Sequence, residues 1–147
     1  MAHVRKQIRD NMTSALTGLA TTGSNAFQTR FFPLEESKLP ALCIYSRSEE
    51  AEYATIGTNR TVMHVVEFTV EAYAKATSGV EDTIDTIAVE VAEALATDVT
   101  RGGLAKDTRV EGFSVDFNAD GEQPVGIASF TVLVDYVTVE NDLETAQ

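Results

Sequence analysis

Residues 116–121, with the sequence DFNADG, are the stretch whose residue types and spacing come closest to a known ligand site. Alternating acidic and amide side chains followed by glycine match the first six positions of the EF-hand calcium loop. The ninth position is Pro124, however, and the twelfth, which needs a bidentate glutamate, is Ile127. The flanking residues also alternate as strands do, so the sequence favours an acidic hairpin tip over a calcium site.

The two histidines and the single cysteine do not form a second candidate for a metal or catalytic site. His64 lies on the apolar face of a predicted strand, where a hydrogen-bonded core or interface histidine is commoner than a ligand, and His3 is near the chain start. Neither is joined by other groups at metal-ligand spacing, and no GxSxG-type motif is present. Cys43 has no partner for a disulfide and is interpreted as a small buried hydrophobe in a reducing compartment. The sequence therefore predicts no metal, no cofactor and no enzymatic activity.

Three carboxylates, Glu81, Asp82 and Asp85, crowd the first turns of a predicted helix. The helix dipole favours carboxylates at this end, and Ser78 and Glu81 have the spacing of a capping box. Catalytic carboxylates are the alternative interpretation, but the dipole explains the cluster without them.

The longest regular pattern in the chain runs from residue 60 to residue 95. It begins with RTVMHVVEFTVEAYA, which alternates with the period of two expected of a half-buried strand and is about twice the usual strand length. The predicted inward side chains are Val62, His64, Val66, Phe68, Val70, Ala72 and Ala74. Apolar residues then repeat at helical spacing, which predicts a helix. These residues are Ile84, Ile87, Ala88, Val91 and Leu95.

The chain before residue 60 is predicted to contain one helix, at residues 2–20, and two short strands, at 26–32 and 41–46. Residues 47–59 form a polar stretch of about a dozen residues. A loop of that length is usually functional or mobile, or belongs to a partner contact. The alternative is an extended hairpin between the flanking strands, and the sequence leaves both open.

The last third of the chain predicts a long hairpin, with a strand at 113–117, a turn at 118–121 and a returning strand at 125–139. The returning strand is apolar on both faces. Phe130, Val132, Val134 and Tyr136 share one face, and Ile127, Leu133, Val137 and Val139 share the other. Helices on one face would leave the second for a neighbouring subunit; the alternative is a strand with helices on both faces. Residues 140–147 are predicted to be a flexible tail.

These elements predict a single α+β domain over residues 1–147. It has a mixed, mainly antiparallel sheet and two principal helices, in the order α-β-β-β-α-β-β. No apolar run approaches the roughly 20 residues that span a membrane, and the basic residues near the chain start are not followed by the apolar segment of a secretory signal. We therefore expect no membrane partner and synthesis in a cytoplasm.

Charge is divided unevenly along the chain. Residues 1–75 contain eight Lys or Arg and eight Asp or Glu, whereas residues 76–147 contain three and fifteen, which accounts for the whole net charge of −12. Such an acidic surface repels nucleic acid, so a sequence-reading or phosphate-gripping function is not expected. It still suits a passage through which DNA slides without adhering.

Four segments of the chain follow one another in an order that resembles a known protein family. They are RKQIRDNMTSALTGL followed by TTG, then FFPLEESKLPALCIY, then the long strand opened by Arg60 that leads into EDTIDTIAVEVAEAL, and finally the hairpin with GEQPVGIASFTVLVDY. In this order the chain resembles the tail terminator proteins of long-tailed bacteriophages, the minor tail proteins that end the tail tube. The resemblance spans nearly the whole chain and contains no catalytic motif.

The resemblance implies a structural virion protein, made in the host bacterial cytoplasm, that forms a ring of six copies at the head-proximal end of the tail. The ring would bind the major tail protein, stop tube growth and offer a surface to the head–tail connector, with DNA only passing through. Candidate subunit or tube contacts are Tyr53, Ile56, Ile127, Leu133, Val137 and Val139. Candidate acidic residues facing the lumen are Asp116, Asp120 and Glu122.

Two other classes of protein remain open. Another component of the head–tail neck, such as a head-closure or tail-completion protein, would have the same composition and ring habit. A small-ligand-binding or enzymatic α+β dimer would need a deep pocket with convergent polar groups.

Overall fold

The structure is a computed structural model that describes residues 2–28, 40–75, 79–118 and 125–147. Its elements are α1 (Val4–Ala15), β1 (Ala26–Phe27), β2 (Ala41–Tyr53), β3 (Thr61–Lys75), α2 (Val80–Thr97), β4 (Asp107–Asn118) and β5 (Val125–Val139). The predicted fold class, an α+β domain with this order of helices and strands, is confirmed. The predicted bounds of the returning strand, 125–139, are also those of β5.

One five-stranded sheet, in the order β1-β2-β3-β5-β4, forms one layer of the domain. β1 pairs parallel to β2, and the other three pairings are antiparallel. β3 and β5 pair along their full lengths, from Thr61 opposite Val139 to Lys75 opposite Val125. At about 3.3 Å per residue, these two central strands run roughly 50 Å side by side.

Both helices pack on the same face of the sheet and share one hydrophobic core. α1 supplies Val4, Ile8 and Met12, and α2 supplies Ile84, Ile87, Val91 and Leu95. The sheet contributes the even-numbered residues of β3 and β5, including Phe68, Val132 and Tyr136, as the predicted period of two requires. Among the described residues no helix covers the opposite face, so the alternative of helices on both faces is wrong.

Residues 47–53 belong to β2 and not to a loop. β2 pairs with β3 as far as Tyr53 opposite Val62, with a register shift between Ser46 and Ser48. The extended hairpin was therefore the correct alternative. The expectation of a loop failed because this half of β2 lies at an open part of the sheet edge, where charged side chains replace the apolar alternation that identifies a strand.

The first helix is shorter than the predicted 2–20. It ends at Ala15, and Gly18 then takes a φ of 90°, a left-handed conformation that suits glycine and ends the helical path. Leu16 stays in the core although it follows the helix, which is why the apolar pattern continued past its end. The predicted strand at 26–32 is present as β1 at 26–27, and residues 29–32 of it lie outside the described residues.

The second helix begins after Gly79, whose φ of 83° is left-handed, and no side chain caps it. Ser78, half of the predicted capping box, lies outside the described residues. Glu81 and Asp82 occupy the first turn as predicted, where the helix dipole favours them.

Residues 140–147, predicted to be a flexible tail, make backbone hydrogen bonds to the rest of the domain. The amide of Val4 donates to the carbonyl of Leu143 at 2.9 Å, and the amide of Gln147 donates to the carbonyl of Val137 at 2.8 Å.

Replacing Ile8 by alanine tests whether α1 is packed on the sheet as described. Ile8 is fully buried, so we expect the free energy of unfolding to fall by about 2–4 kcal/mol, as measured by urea denaturation. Lys6→Ala, on the exposed side of the same helix, is the matched control and should change it by less than about 0.5 kcal/mol. Similar small changes for both variants would contradict the packing of α1.

Candidate functional site

The face of the sheet opposite the helices is the first candidate for function. On β5 the odd-numbered residues point to this face and are only half-buried, whereas the even-numbered residues are buried under the helices. Four of these odd positions are the apolar residues predicted as contacts, Ile127, Leu133, Val137 and Val139. The structure thus places four of the six predicted contact residues on one open face.

Apolar side chains form two patches on this open face. At one end Val137 lies opposite Met63, which is 50% exposed, and Val139 lies opposite Thr61. At the other end Ile127 lies opposite Tyr73. A polar middle separates the patches, so the apolar surface is not continuous along β5.

Leu133 lies near the centre of the open face between charged neighbours. Its cross-strand partners are Glu67 on β3 and Arg109 on β4. The Arg109 guanidinium bonds the Asp135 carboxylate at 2.7 and 3.2 Å and also pairs with Asp107. The hydrogen bonds that Arg109 donates to these acids, that to Asp135 foremost, raise the pKa of Arg109, so a paired cation lies beside Leu133.

Tyr53 and Ile56 are not brought together with the other four contact residues. Tyr53 lies opposite Val62 and so belongs to the helix side of the sheet, where the guanidinium of Arg60 sits 4.2 Å from the centre of its ring. Ile56 lies beyond the end of β2 and is completely exposed. Both are near the end of the sheet that carries Val139, and together they form an exposed hairpin tip.

The predicted acidic residues are only partly described. Asp116 is exposed and lies opposite Ile127, so it shares the open face with a predicted contact residue. Asp120 and Glu122 lie outside the described residues. A lumen position for these three residues stays a prediction.

A buried polar cluster lies on the helix side of the sheet, near the start of α1. The Tyr136 hydroxyl donates to one oxygen of the Glu49 carboxylate, and Arg5 donates to the other at 3.0 Å. The His64 ring stacks on the Tyr136 ring, with centroids 4.4 Å apart. Nε2 of His64 is 2.9 Å from Oγ1 of Thr138, and Nδ1 is 3.5 Å from Glu49.

The threonine, histidine and glutamate of this cluster are connected in the same order as a hydrolase triad, but a substrate has no access to them. Thr138 is fully buried and His64 is 5% exposed, in the interior of two long strands. Burial, and then the nearby Glu49, raise the pKa of Tyr136, which keeps its hydroxyl protonated as a donor. The cluster therefore acts as an anchor between α1 and three strands, in line with the interpretation of His64 as a hydrogen-bonded core residue.

Arg101 is a buried cation that the sequence analysis did not single out. Its Nη2 donates to the carbonyls of Leu95 and Asp98 at the end of α2, and burial lowers its pKa. Nε and Nη1 have no acceptor among the described residues. A groove of about 500 Å³ between α1 and α2 adjoins it, but the Asp98 carboxylate on its lining would repel an anion. The lining of the groove also contains the polar side chains of Asn11, Ser14 and Thr97.

No family model matches the chain, and no curated protein is significantly similar to it. Within the described residues, no helix is both long and apolar enough to span a membrane. The same residues contain no group of three or more histidine, cysteine or acidic side chains placed to hold a metal ion. Function must therefore be argued from the surfaces of the fold.

Tyr136→Phe tests the anchoring role of the polar cluster. Removing the hydroxyl leaves the Glu49 carboxylate short of one donor in a part-buried place, so we expect the free energy of unfolding to fall by about 1–3 kcal/mol. Tyr53→Phe removes the same atom at a side chain that is 51% exposed and should change it by less than about 0.5 kcal/mol. Equal effects in urea denaturation would show that the buried hydroxyl contributes nothing particular.

Cys43 is expected to make the stability of the protein depend on pH in the alkaline range. The thiol is buried as predicted, and burial, followed by the charge of Glu71, raises its pKa from 9.0 to about 11. Below pH 9 the thiol keeps its proton in both the folded and the unfolded state, so its contribution to stability is fully present. Between pH 9 and about 11 only the unfolded chain loses the thiol proton, so the free energy of unfolding falls by up to about 1.4 kcal/mol per pH unit.

Unfolding measured from pH 8 to pH 10.5 checks this prediction. The difference in the free energy of unfolding between the native protein and Cys43→Ala should become smaller as the pH rises, because only the native protein contains the thiol. Parallel curves for the two proteins would contradict a raised pKa. At pH 8 we also expect a disulfide reagent to react far more slowly with the folded protein than with the urea-unfolded chain.

Proposed function

We propose that this protein is a structural component of a bacteriophage tail, a tail terminator. Copies of it form a ring, six in number as the resemblance implies, on the last ring of major tail protein. The ring ends polymerisation of the tube and provides the surface to which the head connector attaches. Its location is the head-proximal end of the tail in the virion. The observation that carries the proposal is the sheet face opposite the helices, which bears apolar patches without a cover in the described residues.

The open face supports a contact between proteins for a physical reason. The apolar patches on this face gain free energy when something covers them, and here α1 and α2 both cover the other face. Val137, Val139, Met63 and Val65 gather at one end of the face, and the exposed Ile56 extends beyond the same end. A second subunit or the tube end would bury these side chains and gain the free energy of their removal from water.

Charge supports the same proposal. α2 contains five acidic residues and no basic one, and the strands that follow it are also acidic. A ring through which DNA passes needs a surface that repels phosphate, and a net charge of −12 provides that repulsion. The same charge argues against a role in gripping DNA.

Two alternative functions would give different experimental results. A head-closure or tail-completion protein would also form a ring, but it would bind capsid connectors instead of tail tubes. An enzyme or ligand-binding dimer would need a deep polar pocket, and the polar cluster around His64 is closed to solvent. No particular observation favours either alternative over the tail terminator.

Leu133→Asp tests whether the open face is a subunit contact. Leu133 is half-buried beside Glu67, so we expect the variant to stay folded by circular dichroism while its added charge prevents assembly. Light scattering over a hundredfold range of concentration should show the native protein growing from monomer to ring and the variant remaining a monomer. Val89→Asp, on an exposed apolar residue of α2, is the matched control and should assemble normally.

The outcomes of this experiment separate the interpretations. A native protein that stays monomeric at every concentration, and does not bind tail tubes, would refute the ring. Unfolding of Leu133→Asp would instead place Leu133 in the core of the subunit. Electron microscopy of purified tail tubes mixed with the native protein then distinguishes a terminator from another neck protein, since only a terminator caps the tubes and stops their growth.

A further inference from the structure

The outer edge of β4 is an open strand edge. β4 pairs with β5 on one side only and ends the sheet in the described part of the chain. Alternate backbone N–H and C=O groups on such an edge point outward without a strand to bond, which makes the edge a template for another extended segment. At 12 residues, β4 is long enough to pair with a peptide along most of a strand.

Apolar side chains flank this edge on the helix side. Phe113 is 51% exposed, and its ring contacts the buried Phe130 ring with centroids 5.3 Å apart. A groove of about 250 Å³ runs between β4 and the start of α2. Its lining consists of Glu81, Ile84, Asp85, Phe113 and Val115. A segment added along β4 would place every second side chain in or beside this groove.

The charges around the edge select the kind of segment. Glu81 and Asp85 are exposed at the groove, and Glu111 and Asp116 are exposed on β4 itself. Arg109 is the one basic residue on β4, and it already pairs with three carboxylates. Basic side chains on an incoming segment would therefore gain favourable interactions along the whole edge.

A second copy of this chain does not supply such a segment from its own open sheet edge. On the outer side of β2, the described residues of β1 pair only with Leu42 and Cys43. The stretch 47–53 beyond them contains Glu49, Glu50 and Glu52 against a single basic residue, Arg47. Pairing that edge with β4 would bring like charges together, and like charges across strands are destabilising.

We propose that the β4 edge is a docking site for an extended segment of another protein, in which apolar and basic residues alternate. The segment pairs with β4 as a sixth strand. Its apolar side chains enter the groove beside Phe113 and Val115. Its lysines or arginines point to the other face of the sheet, where Glu111 and Asp116 lie. The strand pairing and the groove do not involve Leu133, Val137 or Val139, on which the proposed ring contact depends, so the site stands whether or not the ring forms.

A defined probe tests this site. The probe is a fluorescent synthetic peptide, acetyl-KVKFKVK-amide, titrated with the full-length protein at low and at physiological salt and followed by anisotropy. The peptide KPKPKPK has the same charge but cannot pair as a strand, so it measures attraction by charge alone. We expect the first peptide to bind at least tenfold more tightly than the second at physiological salt.

Matched variants locate the binding. Phe113→Ala should weaken binding of the first peptide by about tenfold, because a half-exposed aromatic side chain is lost from the contact. Met63→Ala removes an equally exposed apolar side chain from the opposite face and should leave binding within twofold. The double variant Glu111→Gln, Asp116→Asn should weaken binding several-fold and reduce its dependence on salt.

Three results would overturn the proposal. Equal binding of the two peptides, or equal binding by Phe113→Ala and Met63→Ala, would reduce the effect to general attraction by an acidic protein. Loss of self-assembly in Phe113→Ala would assign the edge to a second copy of this chain. Leu133→Asp separates the two proposals, since it should abolish the ring and leave peptide binding unchanged.

Discussion

The packing of α1 and α2 on a single face of the sheet is the constraint on which the other features of this domain depend. Their apolar stripes meet the even-numbered residues of β3 and β5 and form one core. Because both helices lie on that face, the odd-numbered residues of the same strands have no cover in the described part of the chain. The excess length of β3 and β5 enlarges that open face.

The polar cluster around Glu49 fixes this arrangement at one end of the sheet. Its carboxylate is bonded by Arg5 from α1 and by Tyr136 from β5, and the ring of His64 of β3 stacks on the ring of Tyr136. Such a network is costly when any member is missing, because each remaining group is then buried without its partner. It specifies how α1 docks, and the backbone bonds to residues 143 and 147 close the same end of the domain.

Sheet order also explains the distribution of charge. The electrically balanced first half of the chain forms β1, β2 and β3, and the acidic second half forms β5, β4 and α2 on the other side of the domain. An imbalance along the sequence thereby becomes a difference between the two edges of the sheet.

The sequence by itself determined the type and order of the helices and strands, the buried faces of β3 and β5, and the burial of Cys43, because these follow from local periodicity and composition. It predicted two covers for β5 but could not distinguish a helix from a subunit, and it left residues 47–59 open between a loop and an extended hairpin because charged edge residues hide a strand. Only the tertiary structure decided which face is open. It alone brought Glu49 to Tyr136, 87 residues apart, and tied residues 140–147 to the domain, since those contacts join distant positions that no local pattern connects.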